Sequence, residues 1–127
     1  MSPENITPEM IEFLRERHLA SLTTLRKDGS PHVVPVGFSF DTSSNEVRII
    51  TFAGSQKVKN AELGGRAVVS QVDKGRWLSL EGTVRTTSDT TEVARAVSGY
   101  STRYQPPKER VDRVAIIITV DKILGRA

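Results

Sequence analysis

Polar turn sequences break this chain into short apolar runs, and that punctuation constrains the fold more than any other feature. The run from Leu19 to Arg26 is rich in Leu and Thr, and Lys27-Asp28-Gly29-Ser30-Pro31 closes it with strong turn chemistry. A second run, His32 to Phe40, carries Val33, Val34, Val36, Phe38 and Phe40, so the pair reads as a hairpin. Pro35 cannot donate to a ladder, and with Gly37 beside it the second run is expected to bulge or lie at an edge. After the turn at Asp41 to Asn45, further strands are expected over Val47 to Phe52, Ala67 to Val72, Trp77 to Thr86 and Val111 to Val120. Lys122 to Ala127 reads as a tail.

Three helices are expected among these runs. Thr7 is a natural N-cap, with Pro8 at the first helical position and Glu9 at the positive end of the dipole. Met10, Ile11, Leu14 and His18 mark one face, and the helix should end near Arg17. A short helix follows Ala53-Gly54-Ser55, over Gln56 to Leu63, and Gly64-Gly65 ends it. The third begins at Ser88 or Asp89, where Asp89 and Glu92 resemble a capping box. Val93, Val97, Tyr100 and Tyr104 form its stripe, and Gln105-Pro106-Pro107 stops it. The expected fold is mostly β: six antiparallel strands in a closed or split β-barrel with flanking helices, one domain over residues 1–127. Alternating βαβ units are absent, which argues against a parallel doubly wound sheet.

Composition narrows the chemistry. The 127 residues contain no cysteine, so disulfides, thiol catalysis and cysteine-based zinc sites are excluded. The net charge of +3 is mild, and the basic cluster Lys57, Lys59, Arg66 has no aromatic interleaved, so a small anionic ligand suits the chain better than nucleic acid. No apolar run reaches bilayer length, and Met1 to Asn5 lacks a signal pattern, so a cytoplasmic location is expected, without membrane association. His18 and His32 are the only histidines, and no metal-ligand spacing surrounds them. There is no serine elbow, P-loop or GxGxxG.

The best local candidate site is Gly54-Ser55-Gln56-Lys57 followed by Asn60, where a strand feeds a helix. Free N–H groups, a hydroxyl and a full positive charge suit a phosphate. A capped helix with a solvated lysine would look the same. Trp77, the only tryptophan, opens a strand, and it suits core packing, a dimer contact or stacking on a ligand.

The stretch HLASLTTLRKDGSPHVVPVGFSFD, residues 18–41, resembles the opening hairpin of the pyridoxamine-phosphate-oxidase-like split barrels. Residues 49–84, IITFAGSQKVKNAELGGRAVVSQVDKGRWLSLEGTV, resemble that family's cofactor segment, and RVAIIITVDKILG its closing strand. Within the superfamily, SQK followed by N, then QVD and RWLSLEG, is most similar to the F420-dependent biliverdin reductases. The resemblance implies a homodimer with cofactor sites at the interface and the deazaflavin coenzyme F420 as hydride carrier. It places the cofactor phosphate on Ser55, Gln56 and Lys57, assisted by Asn60. The ring system would lie against His32 to Val36, including Pro35, with Thr51, Gln71 and Trp77 nearby. The substrate would be a conjugated molecule such as biliverdin or a similar tetrapyrrole, its propionates met by a basic rim of Lys74, Arg76, Arg110 and Arg113. FMN is the alternative cofactor, although Ser55 stands where many FMN-binding relatives have arginine. A non-catalytic carrier of deazaflavin or a haem-like ligand is a further alternative. No residue identifies itself as the catalytic acid: water, an arginine environment and His32 remain open.

Overall fold

The computed structural model describes all of Met1–Ala127. A 3₁₀ turn at Pro3–Asn5 precedes helix α1, Pro8–Arg15. Strands β1 (Ala20–Leu25), β2 (Pro31–Val36), β3 (Ser39–Asp41) and β4 (Glu46–Phe52) follow, then helix α2 (Gln56–Glu62). Strands β5 (Arg66–Asp73) and β6 (Arg76–Thr87), helix α3 (Thr90–Arg103) and strand β7 (Arg113–Arg126) complete the chain.

There are seven strands rather than the expected six, all antiparallel in one sheet of order β2-β1-β5-β6-β7-β4-β3. The difference lies in the second apolar run. Pro35 and Gly37 divide it, so that β2 pairs with β1 while β3 pairs with β4. The two edge strands of the sheet are thus consecutive in sequence, separated only by Gly37 and Phe38. The sheet must curl to let them meet.

The concave side of the sheet holds a core of twenty residues, including Leu22, Phe38, Ile49, Val69, Leu80 and Ile118. Helix α1 contributes Met10, Phe13 and Leu14, and α2 contributes Val58 and Ala61. Strand β7 is buried on both faces. Ile116 and Ile118 point into the main core, while Ala115 and Ile117 pack against Ala96 of α3. That double burial explains the unbroken Ile116-Ile117-Ile118 run.

The residues expected to form a tail continue β7 as far as Arg126, paired with Trp77. A bulge makes this possible: Glu81 pairs with Lys122 and Gly82 with Val120, leaving Asp121 as the extra residue. Arg66 clamps the irregularity, donating to Glu81 at 2.8 Å and to Asp121 at 2.6 and 3.0 Å. The strand begins later than expected, at Arg113, and Val111 lies fully exposed in the preceding turn.

Capping chemistry sets the helix starts as expected. The side chains of Thr7, Ser55 and Asp89 accept from the N–H groups of Met10, Val58 and Glu92. Other details differ. Helix α1 ends at Arg15, before His18, and Phe13 rather than His18 completes its buried face. The fully buried positions of α3 are Ala96 and Arg103, while Val93 of the stripe is partly buried against Ala96, Ala115 and Ile117. Glu92 turns to Arg85 at 2.8 and 3.1 Å instead of closing a capping box.

The chain leaving α1 is tied to the β5–β6 turn by Arg76, which meets Glu16 at 2.8 and 2.9 Å and Asp73 at 2.7 Å. Hydrogen bonds from Arg76 and then His18 hold the Glu16 carboxyl down at about 2. Its folded value is below its unfolded one, so its stabilising contribution is complete above about pH 4.5 and is lost as pH falls toward 2. Asp41, hydrogen-bonded by Ser43, and Glu92, by Arg85, are also held at about 2. The melting temperature should therefore fall as pH drops below about 4.5, and Glu16→Gln should flatten part of that fall. A flat profile down to pH 3 would contradict this.

Candidate functional site

A cleft of about 330 Å³ opens where β2 meets β4. One wall is Pro35, Val36 and Gly37; the floor is Ile50, Thr51 and Phe52 at the end of β4. Lys57 enters from α2, Tyr100 from α3, Pro107 and Arg110 from the segment before β7, and Arg113 from the first position of β7. Gly37 suits this close approach: a Cβ there would lie 3.0 Å from the Tyr104 ring and 3.1 Å from the Tyr100 ring. Its absence lets α3 press against the strand crossover.

Tyr104 secures the contact by donating to the His18 carbonyl at 2.6 Å and accepting from the Phe38 N–H at 3.2 Å. Arg103 lies deeper. It donates to the Glu16 carbonyl at 2.8 Å, the Phe38 carbonyl at 2.8 Å and Gln71 Oε1 at 2.6 Å. Phe38 and Tyr104 offer it ring faces at 4.6 and 5.3 Å. Burial pushes its guanidinium below its ordinary value and the Tyr104 phenol above.

The electrostatics of the cleft are cationic. Burial alone pushes the Lys57 ammonium below its ordinary value, and no carboxylate offsets the shift. Lys57 Nζ lies 5.7 Å from the Phe52 ring centre, and the Arg110 guanidinium lies 4.4 Å from it. Arg110 is also bound to Asp112 at 2.8 and 3.0 Å, and Arg113 donates to the Lys108 carbonyl. A half-buried cation without an acidic partner is costly unless an anion joins it.

The structure gathers part of the residue set expected from sequence. Pro35, Val36, Thr51 and Lys57 line the cleft, and Ser55 lies beneath, its Oγ 3.5 Å from Thr51 Oγ1. Gln56 and Asn60 face elsewhere. Gln56 donates to Asn60 at 2.8 Å, and buried Asn60 donates to Thr24 Oγ1 at 3.1 Å, which fastens α2 to β1. Gln71 is buried between the Phe13 carbonyl and Arg103. Trp77 stands on the outer sheet face beside Val72 and Arg126. His32 is partly buried on β2, opposite Thr24, and its Nδ1 is buried without a partner. Of the four basic residues assigned to a rim, Arg110 and Arg113 reach the cleft, whereas Arg76 is held by Glu16 and Asp73, and Lys74 sits in the β5–β6 turn.

Sequence reasoning missed Phe52, Tyr100 and Pro107 as site residues. Tyr100 was legible as a helix stripe and Pro107 as a helix stop, but nothing local showed that both converge on β4.

The pyridoxamine 5'-phosphate oxidase family model matches residues 6–127. An F420H(2)-dependent biliverdin reductase of Mycobacterium tuberculosis is 49% identical over 122 residues, covering 96% of this chain and 89% of that protein. A conserved hypothetical protein of the same organism has the same fold, with a TM-score of 0.81 at 20% identity over 95% of this chain and 84% of that one. An F420 reductase gives a TM-score of 0.76 at 24% identity over 94% and 98% of the two chains. Nearly the whole length is therefore matched in sequence as well as in fold, and the chain belongs to the pyridoxamine 5'-phosphate oxidase family.

Proposed function

We propose that this protein is an F420-dependent oxidoreductase that reduces biliverdin or a similar conjugated tetrapyrrole. The 49% identity to the mycobacterial biliverdin reductase carries the reading. The cleft supports it physically. Lys57 is a half-buried cation lacking an acidic partner, and it lines the cleft beside the Pro35-Val36-Gly37 wall. That pairing fits a flat ligand with an anionic tail.

In this reading Lys57 and Arg110 hold the anionic part of the coenzyme, while Pro35, Val36 and Gly37 form the wall against its ring. Thr51, with Ser55 behind it, supplies hydroxyls at the floor, and Gln56, Asn60, Gln71 and Trp77 support or border the site. Tyr100 closes the side facing α3 and limits water. Bound there, a reduced deazaflavin supplies hydride to an electron-poor conjugated carbon of the substrate. Arg113 is placed to meet a substrate carboxylate.

The curled sheet is read as a split barrel, with residues 1–127 forming one cofactor-binding unit in the cytoplasm. No helix is long and apolar enough to cross a membrane. A homodimer completes the proposal. Leu19, Val33, Val72, Trp77 and Leu124 are exposed on the convex face of the β2-β1-β5-β6-β7 half of the sheet. A groove over this face shares Pro35 with the cleft. A second copy covering these residues would overhang the coenzyme. Val72→Arg should yield a monomer in light scattering and lose coenzyme affinity; a variant that remains dimeric would remove this face as the interface.

Fluorescence titration with F420, and in parallel with FMN, tests the cofactor. Lys57→Ala should weaken F420 binding by about tenfold or more, the worth of one charge-assisted contact. Tight FMN binding in place of F420 would reject the deazaflavin reading. Tight F420 binding with no turnover of tetrapyrroles would favour a carrier.

A further inference from the structure

Phe52 is the last residue of β4 and lines the cleft, 38% exposed. Two cations from distant parts of the chain use its ring, Arg110 at 4.4 Å and Lys57 at 5.7 Å. Left to themselves, two like charges at one cleft would swing apart into water, and long cationic side chains do so readily. The electron-rich face of an aromatic ring attracts both. The backbone that carries the ring is fixed: the Ala53 N–H donates to the Asp112 carbonyl at 2.9 Å, and Phe52 pairs with Arg113. Asp112 grips the outer edge of Arg110, which leaves that guanidinium stacked instead of free.

We propose that Phe52 is a positioning residue: its ring holds Lys57 and Arg110 together so that both engage one anionic group bound in the cleft. The proposal rests on the coenzyme reading above and deepens it. Phe52 itself need not touch the ligand. Its contribution passes through the two cations and therefore depends on their being present.

The test is an F420 fluorescence titration of the purified protein and four variants at low and high salt. Phe52→Leu should weaken binding by about fivefold, the size expected of cation–π contacts at half-exposed sites. Phe52→Tyr, which keeps the ring, should stay within about twofold of wild type. Arg110→Gln should weaken binding as well, and the double variant Phe52→Leu/Arg110→Gln should be much less impaired than the product of the single losses. The losses should shrink at high salt. A structural role alone would not give the coupling.

Unchanged affinity in Phe52→Leu, multiplicative losses in the double variant, or failure of Phe52→Tyr to rescue would each overturn the proposal. If Phe52→Leu fails to fold, Phe52→Tyr and Arg110→Gln still decide: Tyr must bind normally and Gln must not. Wild-type protein that does not bind F420 would overturn the coenzyme reading and this proposal with it. F420 binding that depends on Lys57 but not on Phe52 would overturn this proposal alone.

Discussion

Arg103→Met is expected to lower the free energy of unfolding by about 3–5 kcal/mol, a large share of the total stability of a domain this size. The side chain is 8% exposed and serves three acceptors on three different segments: the Glu16 carbonyl after α1, the Phe38 carbonyl at the strand crossover, and Gln71 on β5. None of the three is a carboxylate, so the guanidinium balances its desolvation through hydrogen bonds and aromatic faces. Methionine would fill much of the volume but donate nothing. Exchanging both sides of a polar contact for apolar groups can be neutral; exchanging one side leaves the other buried and unsatisfied, at about 1–3 kcal/mol per group. Arg103→Lys keeps the charge but not the planar fork, and should recover only part of the loss. Urea denaturation measures the difference. A loss below about 1 kcal/mol would show that water or local rearrangement satisfies the acceptors.

Gly82→Ala should cost about 3 kcal/mol or more, for a purely steric reason. A Cβ at this position would lie 1.8 Å from the Thr119 carbonyl oxygen, 2.6 Å from its carbon and 2.9 Å from Val120 Cα. All three are backbone atoms of the neighbouring strand, so no side chain can move aside. The β6 and β7 backbones would have to separate at the bulge, where the pairing is already interrupted. Gly29→Ala offers the control. Nothing lies within 4 Å of a Cβ there, and its φ of +86° alone should cost about 1 kcal/mol. Comparable losses at the two sites would refute close approach as the reason for Gly82.

The fold was largely legible because its signals are local. Thr7 and Asp89 cap the helices they were expected to cap, and the turns around Gly29 and Asp41 fall between strands. What escaped depends on contacts remote in sequence. The division of His32–Phe40 into two strands is visible only once both partners, β1 and β4, are in place. The last strand ran past its expected end because a bulge at Asp121 restored its pairing with β6. Within the site, Lys57 was identifiable from its place after a strand-to-helix turn. Asn60 shared that segment, yet one helical turn carries it to the interior, where Thr24 holds it. Arg103 gave no signal, since an arginine near a helix C-terminus is usually a solvated one favoured by the dipole.

The crossover at Gly37 and Phe38 also bears on how the chain folds. Because the sheet's two edges are adjacent in sequence, its interior pairings must join segments far apart: Thr23 with Val68, and Val47 with Ile118. Such pairings incur loop-closure entropy before any contact offsets it, and chains dominated by them fold in milliseconds to seconds. The β1–β2 and β3–β4 hairpins can form early, but the other flank of β4 must wait for β7, the last strand of the sheet in sequence order. Until then that flank of β4 remains unpaired, and the partly folded chain is most exposed to misassociation there.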